Sequence, residues 1–166
     1  MAYRPARGCG SHRSFTPTSP AASRTREIIV IDTNVLSETL KPLPSDVVLG
    51  WLASQEPLAV FITTITQAEV LYGVEVLPSG KRRTRLHGAI ENLFAREFQG
   101  RILSFDEDSA RVFPKIVAHR EAMGRPISQF DAMIASICRA RAAAIATRNV
   151  DDFAHCGVPV INPWNE

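Results

Sequence analysis

Residues 28–38 read IIVIDTNVLSE. Four β-branched side chains with no polar relief predict a strand buried on both faces, as parallel sheets require, and the strand runs straight into Asp32. Asp favours helix N-termini, so one reading makes Asp32 the end of the strand and the start of a helix carrying Val35, Leu36 and Leu40. The other reading puts it at the carboxyl edge of a parallel sheet, where open α/β folds place their ligands. The choice depends on what else reaches that edge.

Outward from this stretch the chain alternates. Ser45 is placed to cap a short helix burying Val47, Val48, Trp51 and Leu52, ended by Glu56-Pro57. LAVFI (58–62) predicts a second strand; a helix follows over about 67–76 and stops at Leu77-Pro78-Ser79-Gly80. The next helix opens with KRRTR and sets Leu86, Ala89, Ile90, Leu93 and Phe94 on one stripe. RILSF gives a third strand. Asp106 then caps a helix with Ala110, Phe113, Ile116 and Val117 on it, which Pro114 is expected to kink by removing a hydrogen bond to Ala110. Phe130, Met133, Ile134, Ile137 and Cys138 have the spacing of a helix packed on a sheet, and AIAT and VPVI supply two more strands. The pattern predicts an α/β domain with a mostly parallel central sheet and helices on both faces.

The chain has 166 residues, 45% of them hydrophobic, enough for one domain with a real core. No apolar run approaches membrane-spanning length. Cys9, Cys138 and Cys156 are an odd set without C-x-x-C spacing, which argues for a reducing compartment and against structural zinc. The four histidines are equally scattered. Residues 1–27 hold Arg4, Arg7, Arg13, Arg24 and Arg26 against Glu27 alone, leaving 14 basic and 16 acidic residues beyond, so the net +2 comes from this tail. Rich in Ser, Thr, Pro, Gly and Arg and without hydrophobic period, it reads as a disordered basic extension. A misassigned start, a nucleic-acid-binding arm and an organellar transit peptide all fit its composition.

Further acids recur where strands pass into helices: Glu69 in TTITQAEVLYG, Asp131 in PISQFDAMIA, and Asp151 and Asp152 in TRNVDDF. Thr66-x-x-Glu69 and Ser128-x-x-Asp131 both fit the capping box, in which the acid reaches back to the N-cap amide. Taken together the acids say more, because strand ends and the first turns after them share one edge of a parallel sheet. Two carboxylates about 4 Å apart repel by roughly 4 kcal/mol at an effective dielectric near 20. An N-cap is worth only about 0.5–2 kcal/mol. A hard divalent cation such as Mg²⁺ or Mn²⁺ offsets such crowding, and with no His or Cys in the set zinc is the wrong metal. An acidic metal site without G-x-G-x-x-G or a P-loop suits hydrolysis of a phosphodiester.

DTNVLSE, ITQAEVLYGV, GRILSFDED, FDAMIAS, ATRNVDDF and the closing NPW together resemble the PIN-domain ribonucleases of the VapC toxin family, most closely the FitB-like branch, over 28–166. The resemblance implies a Rossmann-like PIN domain, Mg²⁺- or Mn²⁺-dependent cleavage of RNA, a cytoplasmic homodimer, and a cognate VapB- or FitA-like antitoxin that inhibits the site and docks the pair on operator DNA. Its three first acids fall on Asp32, Glu69 and Asp131. The fourth departs: the resemblance implies an Asp directly after Thr-Arg, where this chain has Asn149, with Asp152 three residues on. Either completes the site, Asn149 through a bound water or Asp152 as a metal ligand, and the expectation is Asn149 near the site with Asp152 as support, because the residue directly after Thr-Arg is the one the strand end points at the metal. Thr33, Asn34 and Thr147 match polar positions that orient the first acid.

Arg148, beside the fourth position, and Lys81, Arg82, Arg83 and Arg85 are candidates for RNA phosphates, although a charge run is also an ordinary solvated helix face. Two rival functions remain. A haloacid-dehalogenase-type phosphatase needs D-x-D after its first strand, and position 34 is Asn. A catalytically silent PIN-like scaffold has no evident reason to keep Asp32, Glu69 and Asp131.

Overall fold

The computed structural model describes residues 27–166, so the tail expected at the N-terminus lies outside the described residues. Five strands form one sheet: β1 (Ile29–Ile31), β2 (Val60–Thr63), β3 (Ile102–Leu103), β4 (Ala144–Ala146) and β5 (Val160–Ile161). All pairings are parallel and the spatial order is β3-β2-β1-β4-β5. Seven α-helices connect or flank them: α1 (Thr33–Thr39), α2 (Asp46–Ser54), α3 (Thr64–Glu75), α4 (Lys81–Asn92), α5 (Glu107–Ala122), α6 (Gln129–Ala140) and α7 (Val150–Phe153). The α/β fold expected from the alternation is the fold observed.

The side-chain period of β1 sets the two layers. Ile29 and Ile31 face a core with Val35 and Leu36 of α1, Val48 of α2, Val70 and Val74 of α3 and Ile90 of α4. Val30, between them, points the other way, into a cluster with Ile116 of α5, Ile134 and Cys138 of α6 and Phe153 of α7. IIVI is apolar throughout because both of its faces are covered.

Chain order reverses across the sheet between β1 and β4. Ligand sites of open α/β sheets form at such a switch point. The register Ile31↔Ala146 puts the next residues, Asp32 and Thr147, side by side just beyond the strand ends.

Several local expectations are corrected. β2 starts at Val60; Leu58 lies in a 3₁₀ turn, Pro57–Ala59, and is exposed. Val47 and Ala89 face solvent, whereas Val48 and Ile90 carry the apolar stripes of their helices. A π-turn, Leu93–Glu97, extends α4 and brings in Phe94. α5 continues through Pro114, whose ring sits on the exposed side. α3 begins at Thr64 rather than near 67, because Thr63, the last residue of β2, is its N-cap. Among the described residues no helix is long and apolar enough to cross a membrane.

Candidate active site

Asp32 directly follows β1 and is the N-cap of α1, so both readings of it hold geometrically. Only 6% of its surface is exposed. One carboxylate oxygen, Oδ1, accepts the Thr33 backbone N–H at 2.8 Å. The other accepts the Asn34 amide and the Thr147 hydroxyl, each at 2.8 Å. Asn34 also donates to Thr147 Oγ1 at 2.9 Å, and its own oxygen accepts the Arg148 backbone N–H at 3.1 Å. Asp32 is therefore locked by neutral donors, and among the described residues no cation lies against it. Burial outweighs those hydrogen bonds and, with Asp131 and Glu69 adding negative potential, pushes its carboxyl up to about 6.

Glu69 reaches the same point from α3. Its Oε2 accepts the Thr33 hydroxyl at 2.5 Å, so Thr33 links the first two acids. The capping box expected for Thr66 and Glu69 does not form, since Thr63 takes the N-cap and its Oγ1 accepts the Thr66 backbone N–H at 3.0 Å. Asp131 is different. Ser128 caps α6, its Oγ accepting the Asp131 N–H at 3.1 Å while its hydroxyl donates to Asp131 Oδ2 at 2.6 Å. Burial again raises the Asp131 carboxyl, and Asp152 adds to the rise.

At the fourth position Asp152 and Asn149 part company. Asp152 is half-buried and close enough to Asp131 to be felt there. Asn149 is exposed and supplies its backbone N–H to Thr147 Oγ1 at 3.0 Å. Both line a rim cavity with Arg148, Asp151 and Asn162. Arg148 is exposed, its guanidinium 5.5 Å from the centre of the Trp164 ring.

The basic run at the start of α4 divides as well. Arg83 is ion-paired with Glu75. Arg82 lines a groove that also holds Lys41, Thr33 and Glu69, which connects it to the acids. Lys81 and Arg85 are exposed and border neither this groove nor the one described next.

A second cavity, of about 720 Å³, opens on the other side of Glu69 and Thr33, walled by Ile65, Ala68, Tyr72 and Phe130. Phe130, expected on the sheet-packed stripe of α6, is 54% exposed, and Tyr72 is 70% exposed. Phe130 lies in the first turn of α6, just before Asp131, at the edge where the site opens. That position was the available signal, and the apolar spacing masked it.

A family profile for the PIN domain matches residues 29–158. The chain is a PIN domain. It is 37% identical over 139 residues to Toxin FitB of Neisseria gonorrhoeae, covering 84% of this chain and all of that one. Similarity to the VapC ribonuclease Y4jK of Sinorhizobium fredii is 36% over 137 residues, covering 82% of this chain and 98% of the relative. The solved structure of FitAB bound to an IR36 DNA fragment superimposes with a TM-score of 0.79 at 37% identity, over 82% of this chain and 96% of that one. This PIN domain thus belongs to the VapC toxin family, on its FitB-like branch.

What this PIN domain offers a cation at its switch point is carboxylate, hydroxyl and amide oxygen alone, which suits Mg²⁺ or Mn²⁺ and not zinc. Among the described residues no three His, Cys, Asp or Glu side chains form a ready-made metal-binding group; Glu69 is turned to Thr33 and Asp131 to Ser128.

Proposed function

We propose that this PIN domain is a Mg²⁺- or Mn²⁺-dependent endoribonuclease whose site is built on Asp32, Glu69 and Asp131. The observation that carries the proposal is Asp32 itself: a carboxylate buried at the switch point, held by three neutral donors, with two further acids adding to its strain. A buried charge without a counter-charge is costly. A divalent cation relieves that cost, and when bound it supplies an activated water and charge stabilisation on the phosphate.

The chain's own residues divide the remaining work. Asp32 is fixed from three directions and is the rigid ligand. Glu69 and Asp131 would be the further ligands, and until an ion is bound the hydroxyls of Thr33 and Ser128 hold them in place. Asp152 contributes charge beside Asp131. Arg148 and Arg82 flank the acids and are placed for phosphates on either side, while Tyr72 and Phe130 present ring faces on which unstacked bases of single-stranded RNA can lie. Lys81, Arg83 and Arg85 have a lesser part in this reading.

The likeness to a FitAB assembly on DNA supports a partner of the same kind here: an antitoxin that covers the site and carries a homodimer of this chain to operator DNA. A silent PIN-like scaffold would draw on the lack of a ready-made metal group; a phosphatase would require an acid where Asn34 serves Asp32. One assay separates the three. Purified protein should cleave RNA with Mn²⁺ or Mg²⁺, stop with EDTA, and leave an aryl phosphate intact. RNA cleavage indifferent to EDTA, or no cleavage of any RNA offered, would overturn the proposal.

A further inference from the structure

Arg120, near the end of α5, is 4% exposed, yet among the described residues it forms no ion pair. Burying a guanidinium without an opposing charge is unfavourable unless its donors are used elsewhere. Here they go to main-chain carbonyls. Nε donates to Arg125 O at 2.7 Å, and Nη1 donates to Asp151 O at 3.1 Å and to Ala154 O.

The first of these bonds follows from how α5 ends. Gly124 has φ +68°, and the Arg125 N–H bonds Arg120 O at 2.9 Å while the Gly124 N–H bonds Glu121 O at 2.9 Å, a Schellman turn. That turn folds the Arg125 carbonyl back over Arg120. The other two bonds reach about thirty residues along the chain, to carbonyls on either side of Asp152.

α7 has only four residues and its N-cap, Asn149, makes no side-chain cap bond. A single turn of helix does not hold its own shape, because nucleation is unfavourable and too few bonds follow to offset it. Its orientation is imposed from outside, on one side by the buried ring of Phe153 and on the other by Arg120.

We propose that Arg120 is the positioning residue of the fourth acidic position: by gripping the carbonyls of Asp151 and Ala154 it holds α7 so that Asp152 faces Asp131, and the affinity of the site for a divalent cation depends on it although it touches no ion. This rests on the metal-dependent reading of the site. The positive charge of Arg120 is also felt at Asp131, opposing Asp152, so the same side chain steadies the acids before an ion arrives.

The test is Mn²⁺ binding, followed by the electron paramagnetic resonance of the free ion, for wild type, Arg120→Lys, Asp152→Asn and the double variant, with melting in EDTA measured alongside. Lys keeps the charge but loses the planar fork in which Nε stays on the Arg125 carbonyl while Nη1 reaches those of Asp151 and Ala154. Arg120→Lys should weaken binding about 10-fold, the lower end of what supporting residues around metal ligands cost. In the Asp152→Asn background it should add less than 2-fold, because the group it positions is already gone. A lower melting temperature with unchanged Mn²⁺ affinity would make Arg120 purely structural and overturn the proposal, as would equal losses in both backgrounds. Should Arg120→Lys not fold, hydrogen exchange on the wild-type chain decides. The proposal requires α7 amides to be protected in EDTA, and α7 protected only after Mn²⁺ is added contradicts it. Wild type that binds no Mn²⁺ would overturn the metal reading itself, while the exchange of α7 would still report on the grip of Arg120.

Discussion

The opening stretches of α3 and α6 carry the same pattern, a hydroxyl residue three places before an acid, and the chain uses it in two different ways. At α6 the pattern caps the helix: Ser128 and Asp131 bond each other through backbone and side chain. At α3 it does not. Thr63, three residues earlier, takes the N-cap, which moves Glu69 into the second turn and frees it to meet Thr33 of α1. A capping motif therefore reports that a helix begins nearby, and not that its acid is occupied. Both acids hold a hydroxyl, Glu69 that of Thr33 on a different helix and Asp131 that of the serine capping its own.

The largest effect that would break this comparison is on cleavage. Glu69→Gln and Asp131→Asn should each lower RNA cleavage by more than the roughly 10–100-fold that loss of a supporting residue costs. They should differ in stability, because Asp131 is raised by burial and Asp131→Asn removes an unfavourable charge. In EDTA at neutral pH its melting temperature should rise. A melting temperature that falls while activity survives would mean that Asp131 serves only as a cap.

Next in size is the pH dependence of the metal-free protein. Folded-state values above the unfolded ones, as for Asp32 and Asp131, mean that the stability these groups confer is fully present below about pH 4 and lost as pH rises through the folded value, about 6 for Asp32. For Asp32 the shift corresponds to roughly 3 kcal/mol. Asp106 and Glu38 slope the opposite way, their carboxyls held down by hydrogen bonds from Ser109 and Lys41 respectively, so the useful quantity is the difference that Mn²⁺ makes at each pH. Urea unfolding should show a Mn²⁺ stabilisation that grows from pH 4 to pH 7. Parallel curves with and without Mn²⁺ would count against a shared site.

The smallest effects concern the caps. Ser128→Ala and Thr63→Ala should each cost about 1 kcal/mol of stability. Only Ser128→Ala also disturbs an acid directly, so its cleavage rate should change more than that of Thr63→Ala at equal loss of stability. Equal changes would erase the distinction between the two turns.

How much of this was legible in the residues follows from what leaves a signature. A run of β-branched residues ending in Asp marks a buried parallel strand and its carboxyl edge, and Ile29–Asp32 form both. The freedom of Glu69 was not legible, because Thr63, Thr64 and Thr66 can all cap a helix and the choice depends on where β2 ends. Phe130 fits the apolar period of α6, yet in the first turn of that helix it is exposed and lines the cavity beside Glu69. Arg120 was missed for a different reason: its partners are carbonyls of the main chain, which every residue has. At the fourth position the residues identify Asn149 and Asp152 as candidates, but only the fold puts the side chain of Asp152 near Asp131.

The central proposal is that Asp32, Glu69 and Asp131 together form a divalent-cation site at the switch point between β1 and β4. Mn²⁺ binding to wild type and to Asp32→Asn, each verified as folded by circular dichroism, tests it most directly. The account predicts saturable binding by wild type and its loss in Asp32→Asn, since the rigid ligand is removed while Glu69 and Asp131 remain. Binding of equal affinity in the two proteins would contradict it.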